Sequence, residues 1–145
     1  MLAIKFTSSI QSNLDASIIH ERILTKLEAR GYKIISHSED QISFKSWPVV
    51  IESRNEIFRR FDSGLFHLTN TSGGTFIKLR YGVSPVREIV FLSIFIFFIS
   101  RAYGTPFRIY YPNIAIVSTV LFFSFILRIW FVAIAAEKLL EELKA

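Results

Sequence analysis

The residue with the most to say about chemistry is a lone arginine. Arg128 is the only charge between positions 114 and 136. At the centre of a bilayer an arginine costs about 2.5–3.5 kcal/mol on insertion scales, so it needs a counter-charge or a place at the interface. If a helix spans 114–136, Arg128 lies inside the membrane and must be paired. If it spans 109–127, Arg128 and Trp130 mark the interface. Glu88 is the candidate counter-charge. It stands thirteen residues before Arg101, and Arg128 fifteen after Asn113. At about 1.5 Å per residue both lie roughly 20–22 Å from the connection between the two apolar segments. A Glu88–Arg128 ion pair pinning those segments together is expected, with structural pinning favoured over a proton or substrate path.

Signals for catalysis are absent. His20 falls on an amphipathic helix and His37 and His67 on separate strands, none with a second ligand at H-E-x-x-H spacing. Ser72-Gly73-Gly74 reads as a turn, because no Lys-Ser/Thr and no helix follow it as a phosphate loop requires. With no cysteine in the chain, a disulfide framework, a thiolate zinc site and a thiol nucleophile are all excluded. The expectation is a non-enzymatic protein with no metal and no cofactor. Asn70-Thr71-Ser72 matches a glycosylation acceptor, but a cytoplasmic hairpin tip never meets that machinery.

A basic set remains: Arg54, Arg59, Arg60, Lys78 and Arg80, with Arg87 beyond them. Near an anionic leaflet each contributes about 1 kcal/mol of attraction, so contact with anionic lipid or a partner is one expectation for them. Nucleic acid is not expected. The pI is near 9.7 but the formal charge is only +5, and no RNP-type or helix-turn-helix pattern accompanies it.

The elements that must position these residues divide the chain. Residues 1–88 hold 12 of the 17 Lys/Arg and 9 of the 12 Asp/Glu, whereas 89–136 hold three Arg and no acid. Half of all residues being hydrophobic (51%) excludes intrinsic disorder. Residues 3–7 alternate as a short strand. Ser12 with Asp15 then suggests a helix N-cap with an acidic third position. Over 13–30, Leu14, Ile18, Ile19, Ile23, Leu24 and Leu27 recur at helical spacing, and Gly31 supplies the C-terminal stop. Alternation predicts strands over 32–37, 41–47 and 56–61, and an edge piece over 49–52 after Pro48. A hairpin over 65–69 and 75–83 closes through residues 70–74. The expected fold is an α+β cytoplasmic domain over 1–84, one amphipathic helix packed on an antiparallel sheet.

Ser84-Pro85 marks the boundary, after which 85–145 is expected to form an antiparallel two-helix transmembrane hairpin, about 86–103 and 112–136, with a helical extension over 137–145. The core of the first segment, 89–100, is short against the roughly 20 residues needed to span about 30 Å. It becomes long enough if Arg87 and Arg101 snorkel outward. Arg108 lies in the connection, Tyr110 and Tyr111 open the second segment, and Trp130 stands near its end, as interfacial aromatics do. Lys78, Arg80, Arg87, Lys138 and Lys144 on the termini side, against Arg101 and Arg108, favour an integral membrane protein with both termini cytoplasmic. The apolar side of 137–144 would either dock a partner or lie covered in the core.

The functional expectation is a membrane-bound accessory, scaffolding or binding subunit that presents a small domain at the bilayer, with a second copy or another membrane protein as partner. A small homo-oligomeric channel and a lipid-binding module are the alternatives. The first segment's lack of polar residues weighs against a water-filled path.

Overall fold

The structure is a computed structural model that describes residues 3–46, 60–103 and 111–144. Five strands and three helices follow in the order β1 (Ile4–Ser12), α1 (Ala16–Ala29), β2 (Lys33–His37), β3 (Gln41–Lys45), β4 (Ser63–Thr71), β5 (Gly74–Val83), α2 (Val86–Tyr103) and α3 (Tyr111–Lys144). The strands form one antiparallel sheet in the order β1-β5-β4-β3-β2. From β2 at one edge the chain meanders through β3 and β4 to β5, next to the other edge. β1 then pairs with β5, so α1 carries the chain across the sheet from the β1 edge to the β2 edge.

Local chemistry explains most boundaries. The N-cap of α1 is Asp15, in extended backbone, with its carbonyl accepting from the Ile19 amide at 3.1 Å. Ser12 does not cap the helix. It ends β1, and its hydroxyl accepts from the Leu14 amide at 3.3 Å. Gly31 takes a left-handed φ of 66° and closes α1, with its own amide bonded to Glu28 and that of Tyr32 to Leu27, both at 2.9 Å. That reversal satisfies carbonyls the helix end would otherwise leave open. β4 and β5 are longer than the alternation predicts, because pairing continues to Thr71 opposite Gly74 and leaves a turn of only Ser72 and Gly73. The expected strands over 49–52 and 56–59 lie outside the described residues, and Arg60 and Phe61 precede β4 without being in a strand.

Alternation gives the sheet two unlike faces. Ile42, Phe44, Phe66, Leu68, Ile77, Leu79, Tyr81 and Val83 are buried and meet Ile19, Ile23 and Leu27 of α1. The same core contains Val132, Ala136, Leu139, Leu140 and Leu143 of α3. The last third of α3 is therefore a core helix beside α1, packed chiefly over β1. This meets the apolar side of 137–144 with cover from the chain's own sheet. The tie is polar as well: Ser12 Oγ donates to the Lys144 carbonyl at 3.4 Å, and Glu142 takes Lys26 at 2.7 Å and Arg30 at 3.1 Å.

The α+β part stands, but the two-helix transmembrane hairpin does not. Among the described residues one helix, Pro112–Lys144 within α3, is long and apolar enough to cross a membrane. α2 fails because Arg87, Glu88 and Arg101 fall within its 18 residues. The uncharged run between Glu88 and Arg101 is twelve residues, about 18 Å of helix against roughly 30 Å of hydrocarbon. Snorkelling at both ends does not turn that run into a second span. α2 packs against α3 while leaving Phe91, Phe97 and Phe98 exposed.

Candidate functional site

The point where the globular domain meets the apolar helix is built around Arg128. Its side chain is buried, with 4% of the residue exposed. One guanidinium nitrogen, Nη2, donates to Asp62 Oδ1 at 2.6 Å, and the other, Nη1, donates to the Ser84 carbonyl at 3.1 Å. Glu88 Oε1 lies 3.5 Å from Nη1. Asp62 also accepts from the Ser84 amide at 2.5 Å through its second oxygen, and the Ser84 hydroxyl accepts from the Val86 amide at 3.3 Å. Arg128, Asp62 and Ser84 thus close a ring of hydrogen bonds, with Glu88 against its outer edge.

Each member arrives from a different element. Asp62 immediately precedes β4, Ser84 is the hinge between β5 and α2, Glu88 is in the first turn of α2, and Arg128 is halfway along α3. Three features make the ring strong. The guanidinium is planar and presents several donors at once, two carboxylates share its charge, and Arg128 and Glu88 are shielded from water while Asp62 is partly exposed. Removing one partner of such a set leaves a buried charge uncompensated, at a cost of about 3–5 kcal/mol. Chemically the arrangement is a tie: two hydrogen bonds and one ion-pair contact engage the Arg128 guanidinium, whose Nε has no hydrogen-bond partner among the described residues.

The remaining expected site residues separate. Arg101 is exposed in the last turn of α2. Trp130 is 59% exposed on α3, its ring 5.6 Å from that of Phe131. Arg87 and Tyr111 lie in α2 and α3, but their side chains are outside the description, as are Arg54, Arg59, Arg108 and Tyr110 altogether. Arg60 is engaged within the domain: its Nη2 donates to the Gly31 carbonyl at 2.6 Å and its guanidinium sits 5.0 Å over the Tyr32 ring. The Tyr32 hydroxyl accepts from the Phe61 amide at 3.1 Å, and burial pushes its pKa up to about 12. Arg60 and Tyr32 therefore lock the helix-stop Gly31 to the start of β4.

Lys78 and Arg80 lie on the face of the sheet that neither α1 nor α3 covers. Register brings them together with residues the sequence reading did not single out. The open face carries Lys5, Lys33, Lys45, Lys78, Arg80 and His67, and no carboxylate among the described strand residues. Strand alternation carries this information, but only after the pairing partners are known. Asp62 was missed for a similar reason. It reads as a turn residue in Asp62-Ser63-Gly64, and nothing local links it to an arginine 66 positions away.

Two further features complete the survey. A shallow apolar groove runs along α3 past Val120, Phe123, Ser124, Leu127 and Phe131, and a polar one lies between Ser8–Ser9 of β1 and Glu137–Glu141 of α3. Among the described residues no group of His, Asp and Glu is placed to hold a metal. No protein-family model matches the chain, and no curated protein matches it.

Proposed function

We propose that this chain is a membrane-anchored, non-enzymatic subunit that holds a small α+β domain against the bilayer surface for an accessory or scaffolding role. The observation that carries the reading is the continuity of α3. Its most apolar 18-residue window is only 6% covered by the rest of the chain, yet the same helix ends as part of the domain core. Exposed residues in that window include Ile116, Val120, Phe122, Phe123, Ile126 and Leu127. An apolar surface of this extent on most sides of a helix is unstable in water and stable in hydrocarbon. No flexible linker joins anchor to domain, so the domain is held in a fixed orientation, which suits a scaffold better than a tethered ligand.

The charge bias toward the termini side favours the cytoplasmic face for the domain. The hydrogen bond from Ser12 of β1 to the Lys144 carbonyl supports placing the end of α3 on the same face as the sheet. The partner is a second copy or another membrane protein, docking on the exposed faces of α2 and α3. Purification of the full chain in mild detergent, with the mass of the intact particle, tests this. The expected result is a particle larger than one chain of 16.7 kDa plus detergent, containing stoichiometric copies or one foreign membrane protein. A monodisperse monomer that partitions into the aqueous phase without detergent contradicts it.

A further inference from the structure

The register of the sheet aligns five residues into one row across its open face: Lys5 opposite Gly82, Gly82 opposite Ser63, Ser63 opposite Lys45, and Lys45 opposite Lys33. This row is at the end of the sheet nearest the Arg128 ring. Ser63 directly follows Asp62, and Gly82 is two residues before Ser84, the two groups that hold Arg128. Lysines therefore flank the level at which the apolar helix leaves the domain.

The row is unusual in its charge and in its shape. Lys33 and Lys45 are directly cross-strand partners, so two lysines stand side by side on the open face. No salt bridge ties Lys5 or Lys45 to any described acid, and both side chains are exposed. Between the lysines the floor is small. Gly82 has no side chain, and the Ser63 hydroxyl lies so near that a Cβ on Gly82 would meet it at 3.2 Å. Three strand spacings separate Lys5 from Lys45, about 14 Å. The result is a narrow trough with an ammonium on each side and the exposed Ser63 hydroxyl, beside the buried Gly82, at its base.

We propose that this trough binds the phosphate headgroup of an anionic phospholipid in the leaflet that α3 enters. The inference rests on the membrane reading above. Lipid is favoured over other polyanions by position. Formal cations thin out along the face away from the junction: three lysines in the first row, Arg80 alone in the next and Lys78 alone in the third. Lys78 is four residues from Gly82, about 13 Å farther along β5 and beyond the roughly 8 Å screening length of physiological salt. The distribution fits a charged plane at one end of the domain better than an acidic partner laid along the whole face.

The test uses the full chain in mixed micelles with equal amounts of phosphatidylglycerol and phosphatidylcholine, with the lipids retained per protein counted by mass spectrometry. The native chain is expected to enrich phosphatidylglycerol. At about fivefold per lysine near the surface, Lys5→Gln with Lys45→Gln should cut that enrichment about tenfold or more. Lys78→Gln should change it by less than twofold. Equal enrichment in native and doubly substituted chains overturns the proposal. So does complete displacement by millimolar inorganic phosphate, which assigns the row to a soluble anion, or an oligonucleotide that binds the native chain where phosphatidylglycerol is not enriched. Flotation with vesicles of phosphatidylcholine alone reports the apolar anchor separately, so loss of headgroup selectivity is distinguishable from loss of membrane binding.

Discussion

The two ends of α3 are similar in composition of apolar residues and opposite in what covers them. Toward its start Ile116, Val120, Phe122 and Phe123 are exposed on several sides of the helix. Toward its end Val132, Ala136, Leu139, Leu140 and Leu143 are buried against the sheet, while Glu137, Lys138, Glu141 and Lys144 face water. The difference is angular. At 100° per residue the second set gathers on one stripe, whereas the first leaves no polar side at all. Apolarity alone therefore does not say where a helix goes; the presence or absence of a wet stripe does. Arg128 sits at the changeover, and its ring with Asp62 and Ser84 fixes the register between the two environments.

That contrast predicts an order of effects. The largest belongs to the changeover itself. Arg128→Met should destabilise the domain by about 3 kcal/mol, at the lower end of the range for a broken buried ion pair because the Asp62 side chain is 35% exposed. Asp62→Asn should weaken the hold on Arg128 more than Glu88→Gln, since Asp62 makes two short hydrogen bonds in the ring and Glu88 approaches Arg128 at 3.5 Å. Thermal unfolding in detergent reads all three, and no change for Glu88→Gln would remove it from the pin.

Next come the two ends of α3. Leu139→Ala should cost about 2 kcal/mol, the low end of the range for a cavity in the core, whereas Phe122→Ala, the comparison at the other end, should move domain stability by no more than about 0.5 kcal/mol. Comparable losses in urea unfolding would erase the contrast. An alkaline effect follows from Tyr32. Its folded pKa of about 12 lies above the ordinary value of 10.0, so its contribution is complete below pH 10 and is lost as pH rises through 12. Stability should fall by about 1.4 kcal/mol per pH unit across that window, and Tyr32→Phe should flatten the slope.

The smallest effect is at Glu142, whose carboxyl is held below the usual range first by the Lys26 hydrogen bond. That stabilisation is present above the ordinary glutamate pKa and disappears as pH falls through the lowered one. Because the pair is a third exposed, Glu142→Gln should cost at most about 1 kcal/mol. A double-mutant cycle with Lys26→Ala measures it.

Local rules made α1, the first half of β1 and the two hairpins legible, since periodicity and a glycine stop act within a few residues, while β1 runs on to Ser12 because it pairs with β5 as far as Thr75. The last third of α3 was legible as a stripe, but its cover was not, because the acceptor is a strand more than 120 residues earlier. The first expected membrane helix was misread by giving an apolar run more weight than the three charges bounding it. Counting charge per length, not apolar residues alone, would have separated α2 from α3. Lys5, Lys33 and Lys45 are scattered over 40 residues and become one row only through pairing register, which no single strand encodes.

The central claim is that one rigid helix is lipid-covered at its start and domain-covered at its end. The chain contains no cysteine, so single cysteines can be placed at Ile116, Val120 and Phe123, and at Glu137 and Glu141, without background. Vesicles holding the full chain would be freeze–thawed in a small water-soluble maleimide, so that both leaflets meet the reagent. The account predicts rapid labelling at 137 and 141, and none at 116, 120 and 123 until detergent dissolves the bilayer. Equal labelling of all five positions in intact vesicles would contradict it.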